Sequence, residues 1–457
     1  MEMNVSQESK RTQAPGPKGH FLLGSLAERK NDPLTLFLKS AQEYGPVVNF
    51  KMGPRTVVLV NDSESIRHVL MDSGSKYIKG FGYDKLQAFL GNGLLTNEGD
   101  SWRRQRKLAQ PAFHRASLVE LSKQMLFAAK DWARTIEAKL PEQKVFNIHD
   151  EMMALTQRIV SLTLLGTDIT RELSTDIGEA LNYLIEEANR RVLDLFPIPT
   201  SIPTRRNLKS KEYISKFDSV IMGIIEEHRK NPSQHKTLLS MLISATDEET
   251  GQGMSDKQLR DEVITFFVAG HETTANALTW TLYLMSKYPH EERKILEESE
   301  RILGGKDMGF ENLSEHKYLM QVIEESMRLY PPAWIVSREA VVEDEILGYK
   351  IKPGNIVVLS PWVMHRSTEH WENPEGFDPE RFTEEKKATR EKFAYFPFGG
   401  GPRSCIGNHF ALMELQIVLG TVLKNLQFSL VPGFKVELEP LITLRPKWGM
   451  QMIVRKR

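Results

Sequence analysis

Phe398-Gly-Gly-Gly-Pro-Arg-Ser-Cys405-Ile-Gly407 is the stretch on which the reading of the whole chain turns. Cys405 is the single cysteine in 457 residues. The three glycines before it remove side chains where a backbone must approach something flat and large. Directly after it, Gly407 to Gly420 carries apolar residues at helical spacing, so the sulfur stands just before a helix N-terminus. Free backbone N–H groups and the helix dipole there favour a thiolate over a thiol. A thiolate on a glycine loop is a nucleophile or a metal ligand, whereas a lone cysteine is otherwise most often a small buried hydrophobe.

Working outward, composition sets the frame. Lys and Arg together number 60, as do Asp and Glu, so the formal net charge is zero. Nucleic-acid binding, which usually needs a basic excess, is therefore not expected. One cysteine excludes an internal disulfide framework and suits a reducing compartment, so a cytoplasmic location is expected. Met1 to Gln13 is polar and charged, without the apolar run of a signal peptide or membrane anchor. No linker or internal repeat divides the remainder of the chain. The expectation is a flexible polar tail over residues 1–14, then one domain over residues 15–457, acting as a monomer.

Val47–Met52 and Thr56–Val60 read as a hairpin around Gly53-Pro54-Arg55, with a helix from Ser63 to Asp72. A glycine-rich loop between Lys76 and Gly99 carries Phe81, Leu86 and Phe89, either pocket wall or ordinary core. Trp102 and Arg106 stand four residues apart and share a helix face, able to grip one ligand. Arg103, Arg104 and Lys107 offer a basic patch, and Lys386, Lys387, Arg390 and Lys392 a second one. Leu118 to Lys230 is mostly amphipathic helix, interrupted by Phe196-Pro-Ile-Pro-Thr-Ser-Ile-Pro203, an apolar connection that is either a lid or a buried corner.

Ser255 and Gln258 form a capping box that opens a helix running to Tyr288, where Pro289 stops it. Roughly 30 residues make about 45 Å of helix, enough to cross a domain. Its middle, Ala269-Gly-His-Glu272-Thr273-Thr274, holds a glycine and two threonines that are poor choices for a helix centre. The Thr273 hydroxyl can bond the Ala269 carbonyl and loosen the helix there. Glu325 and Arg328 lie three apart on a helix that ends at Pro331-Pro332.

Phe398-x-x-Gly401-x-Arg403-x-Cys405-x-Gly407 resembles the haem-binding loop of the cytochrome P450 family. Ala269-Gly-x-Glu272-Thr273, Glu325-x-x-Arg328 and Pro379-Glu-Arg381-Phe382 resemble its other motifs, in the same order, and the likeness extends from about Pro15 to the C-terminus. It implies a mainly α fold with small β-sheets and haem b held between the long helix and the cysteine loop. Cys405 would be the axial thiolate on haem iron. Trp102, Arg106, Arg338 and Arg403 would hold the haem propionates, with Phe398, Gly399, Gly407, Ala269 and Gly270 around the cofactor. Thr273 would steady dioxygen and Glu272 would relay protons to it. Glu325, Arg328 and Arg381 would form a buried structural lock. Phe81, Leu86, Phe89, Phe266, Ala269, Ala333, Ile335 and Ile442 fall where the family lines its substrate pocket.

The activity implied is a monooxygenase that hydroxylates or epoxidises a lipophilic substrate with dioxygen. The segments look most like the fatty-acid-hydroxylating branches, with a terpenoid, steroid or macrocycle as the alternative. No electron-carrying domain follows Arg457, so a separate ferredoxin or flavodoxin with its reductase is expected. Two rivals remain open in the residues alone. One is a haem-thiolate gas sensor without turnover. The other is a hydrolase using Cys405 with one of the 12 histidines, such as His409.

Overall fold

Alternating apolar residues fix the sheets, and a 3.6-residue apolar period fixes the helices. The computed structural model describes residues 13–72, 74–80, 82–142, 144–168, 180, 183–184, 186–188, 190–191, 198–231 and 236–457. The polar tail up to residue 12, Phe81 and the start of the expected lid at 196–197 lie outside them. The architecture is mainly helical with small sheets, as the sequence implies. The described residues group into two units.

The first unit draws on Met1–Phe81, Trp334–Glu375 and Arg390–Ser404. Its five-stranded sheet runs in the order Val47–Met52, Arg55–Val60, Ile356–Leu359, Val336–Ala340, Tyr77–Lys79. The expected hairpin is present, with Met52 opposite Arg55 and Val47 opposite Val60. Arg55 therefore opens the second strand and does not belong to the turn. The one parallel pairing joins Arg55–Val60 to Ile356–Leu359. Val47, Val58, Val60, Val357 and Leu359 face a core completed by Ile66, Leu70, Phe393 and Phe396. The helix expected over Ser63–Asp72 is α-helical to Arg67 and finishes in a π-turn, His68–Asp72. That turn brings the Leu70 backbone against the glycine loop: a Cβ on Gly401 would lie 2.0 Å from the Leu70 carbonyl oxygen.

The second unit draws on Gly82–Ala333, Gly376–Thr389 and Cys405–Arg457. Its axis is the helix Asp256–Lys287, 32 residues long. Ser255 and Gln258 cap it reciprocally, the Gln258 N–H donating to Ser255 Oγ and the Ser255 N–H to Gln258 Oε1. Leu259, Val263, Phe267, Leu278, Trp280 and Leu282 are all completely buried. Only the core of a helix bundle buries a helix on so many sides. It packs on Ile148–Val160, Arg205–Lys230, Lys317–Leu329 and Asn408–Asn425. A three-stranded antiparallel sheet, Val145–Asn147, Gln451–Lys456 and Leu426–Leu430, and a hairpin, Leu438–Pro440 with Leu444–Pro446, complete the unit. Among the described residues no helix is long and apolar enough to cross a membrane.

Candidate active site

The long helix stays α-helical through its threonine-rich middle. Thr273 Oγ1 donates to the Ala269 carbonyl at 2.8 Å, the bond expected from the sequence, yet without an assigned break in the helix. In the middle of this largely buried helix, Ala269 is exposed, while Phe266, Val268, Gly270 and Thr273 are half-buried; Phe266, Ala269, Gly270 and Thr273 share one face. These positions recur every three or four residues and form one open stripe. Gly270 has a second cause: a Cβ there would sit 3.0 Å from Val160 Cγ2 on the neighbouring helix. Glu272 points elsewhere. It is buried, and its Oε1 accepts a 2.6 Å hydrogen bond from Thr443 Oγ1 on the C-terminal hairpin.

Cys405 sits three residues before the helix Asn408–Asn425. Its side chain has an accessible face, yet burial among protein atoms pushes the thiol's pKa up. The Gly407 N–H and the nearby Arg106 guanidinium pull it the other way without prevailing. The helix N-terminus was expected to favour a thiolate; in the protein alone burial outweighs that effect. Desolvation penalises the charged sulfur by more than two local donors recover. A bound cation would reverse the balance, because a coordinating thiol is deprotonated outright.

The glycines also have a different cause from the one expected. A Cβ on Gly400 would lie 2.4 Å from the Phe393 ring, and Gly401 abuts the Leu70 backbone. What those two approach is the chain's own core. Gly399 takes a left-handed φ of 68° and has nothing within 4 Å of its would-be Cβ, so its face is open. Phe398 and Arg403 are half-buried in the same loop, whose turn spans Gly401–Arg403.

Trp102 and Arg106 share the helix Gly99–Ala109, with Trp102 buried and Arg106 beside Cys405. Arg338 lies in the strand Val336–Ala340. It is 8% exposed, it donates to the Ser337 carbonyl at 3.0 Å, and among the described residues no carboxylate pairs with it. A buried guanidinium without an acid calls for an anionic ligand.

One aromatic group that the sequence did not flag joins the parts of the second unit. Phe113 packs edge-on to Phe266 of the long helix at 5.4 Å, and its ring lies 3.7 Å from a would-be Gly407 Cβ. Of the expected pocket residues, Leu86 and Phe89 are buried on the helix Tyr83–Leu90. Ala333 and Ile442 are half-buried, as is Ile335 in the first unit. Ile198 and Ile202, from the described part of the expected lid, are exposed, which fits a surface segment better than a buried corner.

The lock is fully formed. Arg328 grips Glu325 through Nε at 2.6 Å and Nη2 at 2.8 Å, with both side chains wholly buried. Glu325 Oε1 also accepts from the Asp378 N–H at 2.9 Å and lies 3.5 Å from Arg381 Nε. Members of both basic patches are engaged within the protein. Arg104 donates to the Gln252 and Gly253 carbonyls, Lys107 faces Glu248 and Glu249, and Lys387 pairs with Glu324 and Glu384.

In the second unit, an accessible but surrounded thiol beside Arg106 and an open stripe on a buried helix suit a haem's iron and face; in the first unit, the acid-free buried Arg338 suits a haem carboxylate. The comparisons agree. A family model described as Cytochrome P450 matches residues 14–450. Cyclooctatin synthase of Streptomyces melanosporofaciens is 32% identical over 434 residues, 95% of this chain and 93% of that protein. Cyclooctat-9-en-7-ol 5-monooxygenase of the same organism is 32% identical, with 92% and 91% covered. The crystal structure of the cytochrome P450DA heme domain superposes with a TM-score of 0.88 at 25% identity, covering 98% of both chains. The chain belongs to the cytochrome P450 family. It is a monooxygenase with haem as cofactor, and dioxygen, a lipophilic substrate and an electron-donating partner are its co-reactants.

Proposed function

We propose that this monooxygenase hydroxylates a neutral cyclic terpenoid, holding haem b through Cys405 and receiving electrons from a separate ferredoxin or flavodoxin with its reductase. What supports the substrate reading is the character of the side chains that the family resemblance places at the substrate. Leu86, Phe89, Phe266, Ala269, Ala333 and Ile442 of the second unit include no charged side chain, so none of them can pair a fatty-acid carboxylate. The names of the two Streptomyces relatives, both referring to cyclooctatin chemistry, favour the same class over the fatty acid that the motifs first suggested. Support for treating residues 15–457 as one catalytic domain is the single family model that matches residues 14–450.

Bound haem supplies the oxidising power that the protein side chains lack. Cys405 Sγ would hold its iron, and the Arg106 charge beside the sulfur favours the thiolate form. Trp102, Arg106, Arg338 and Arg403 would hold its carboxylates. Ala269 gives the open stripe of the long helix its smallest side chain, leaving space for dioxygen. Thr273 Oγ1, parked on the Ala269 carbonyl, carries a hydroxyl that can turn toward dioxygen and donate. Glu272, the next residue, replaces that proton. Apolar walls keep bulk water from competing for it.

The substrate test is a spectroscopic titration of haem-loaded protein with a cyclic sesquiterpene, a cyclic diterpene alcohol and a long-chain fatty acid. A low-spin to high-spin shift with the terpenoids alone is the expected result. A shift with the fatty acid alone overturns the terpenoid reading and restores the fatty-acid one.

A further inference from the structure

Glu272 is the end of a hydrogen-bonded chain that no motif records. Thr443 Oγ1 donates to Glu272 Oε1 at 2.6 Å. Asn276 Nδ2 donates to Thr443 Oγ1 at 3.1 Å. His149 Nε2 lies 3.2 Å from Asn276 Oδ1. A carbonyl oxygen only accepts, so His149 must carry its proton on Nε2. Every bond in the chain is thus donated toward Glu272. All four residues are buried, from 0% exposure for Asn276 to 9% for His149. At the outer end, His149 Nδ1 lies 3.6 Å from Asp150 Oδ1, whose side chain is 74% exposed.

We propose that Thr443, Asn276 and His149 are positioning residues that hold Glu272 by one carboxylate oxygen and fix its orientation, so that the other oxygen is the one that takes up and passes on the proton. This rests on the relay role given to Glu272 above. The direction of donation is decisive. A donor aimed at a carboxylate stabilises its charged form and fixes its rotamer. Three donors in line strengthen one another. The array is not itself a proton wire, because the Asn276 amide donates and accepts without passing a proton on. Among the described residues Glu272 Oε2 accepts no hydrogen bond, so that oxygen is the one left for exchange.

The anchor is rigid at both ends. Trp280 Nε1 donates to the Leu444 carbonyl at 3.1 Å, and the Leu444 N–H to the Pro332 carbonyl at 2.9 Å, which fixes the hairpin next to Thr443. The Ile148 N–H donates to the Met450 carbonyl at 2.8 Å and the Met450 N–H to Asn147 Oδ1 at 2.8 Å, which fixes the start of the helix that carries His149. The neighbouring charges do not compete for Glu272. His271 turns back to the Phe267 carbonyl at 2.8 Å, and burial lowers its pKa so that it stays neutral. Arg445 is paired with Glu439, and Arg158 with Asp131 and Asp168.

The test uses haem-loaded full-length protein with ferredoxin, its reductase and a cyclic diterpene alcohol as probe. Two quantities are read for Thr443→Val, Thr443→Ser, Asn276→Leu and Glu272→Gln. One is the infrared carboxyl band that disappears in Glu272→Gln, and the other is peroxide released per NADPH consumed. Thr443→Val keeps the shape and removes the donor. It should shift the band and raise the peroxide share several-fold, toward that of Glu272→Gln, and Thr443→Ser should restore both. Asn276→Leu should move both readouts the same way by less, and it serves alone if Thr443→Val does not fold. Unchanged band and peroxide in Thr443→Val, beside a raised share in Glu272→Gln, overturn the positioning role alone. A wild-type share in Glu272→Gln overturns the relay role and this inference with it.

Discussion

Glu414, on the helix that follows Cys405, is completely buried, and among the described residues neither of its carboxylate oxygens has a hydrogen-bond partner. Burial alone pushes its pKa well above the usual carboxylate range. The unfolded chain ionises it above about pH 4.3, while the folded protein keeps it protonated to higher pH. Its contribution is therefore fully present in acid and is lost as pH rises toward the folded value. Glu414→Met should raise the unfolding free energy measured in urea at pH 8 by about 1–2 kcal/mol, with the gain closing near pH 4. Asp344 behaves in the opposite sense. Burial raises its pKa, but hydrogen bonds from Lys76, His68 and Tyr77 win and bring it down to about 2. Its stabilisation is present above the unfolded value and lost as pH falls through the folded one. Asp344→Asn should cost about 2 kcal/mol at neutral pH and nearly nothing near pH 2, read by denaturation at both. Thr273→Ala should leave the fold intact and divert electrons to peroxide; unchanged product per electron would remove the hydroxyl from the relay.

At the scale of the element, the long helix shows which signals are local. Its capping box, its stop at Pro289 and the back-bonded Thr273 are written within a few residues and could be read from the sequence. Gly270 is different, because its reason lies on another helix. Gly270→Val should lower stability by about 1–3 kcal/mol through Val160, and Val160→Ala should make the pair of changes less than additive. Thermal unfolding of the four proteins of that cycle decides it. Gly400 and Gly401 repeat the lesson: their number was visible, but the Phe393 ring and Leu70 backbone that require them were not. The direction of the Cys405 shift was misjudged for the same cause. Helix ends are visible in sequence, whereas burial is made by parts far away in the chain.

At the scale of the molecule, the order of the motifs was enough to suggest the family, because each is a short run legible by itself. The meeting points themselves were hidden. Thr443, Asn276, His149 and Phe113 have no local signature, and Thr443 meets Glu272 across 171 residues of sequence. The lock is the exception, since its three members could be named from two motifs. Arg328→Met would strip buried Glu325 of its bidentate partner, a loss of about 3–5 kcal/mol. Against a total of about 5–15 kcal/mol, little folded protein should accumulate. Adding Glu325→Gln should recover part of the yield, measured as the folded fraction by circular dichroism.

The clasp between the long helix and the hairpin also sets an order of events during synthesis. Trp280 waits 164 residues for the Leu444 carbonyl, and Glu272 waits still longer for Thr443. At about 5–20 residues per second, the helix is outside the ribosome for some tens of seconds or less before either partner exists. Through that interval a tryptophan, a carboxylate and an amide, all bound for the interior, stay wet. The chain therefore has a window of exposure, and chaperone occupancy on ribosomes stalled before Leu444 should be high and should fall once the hairpin emerges.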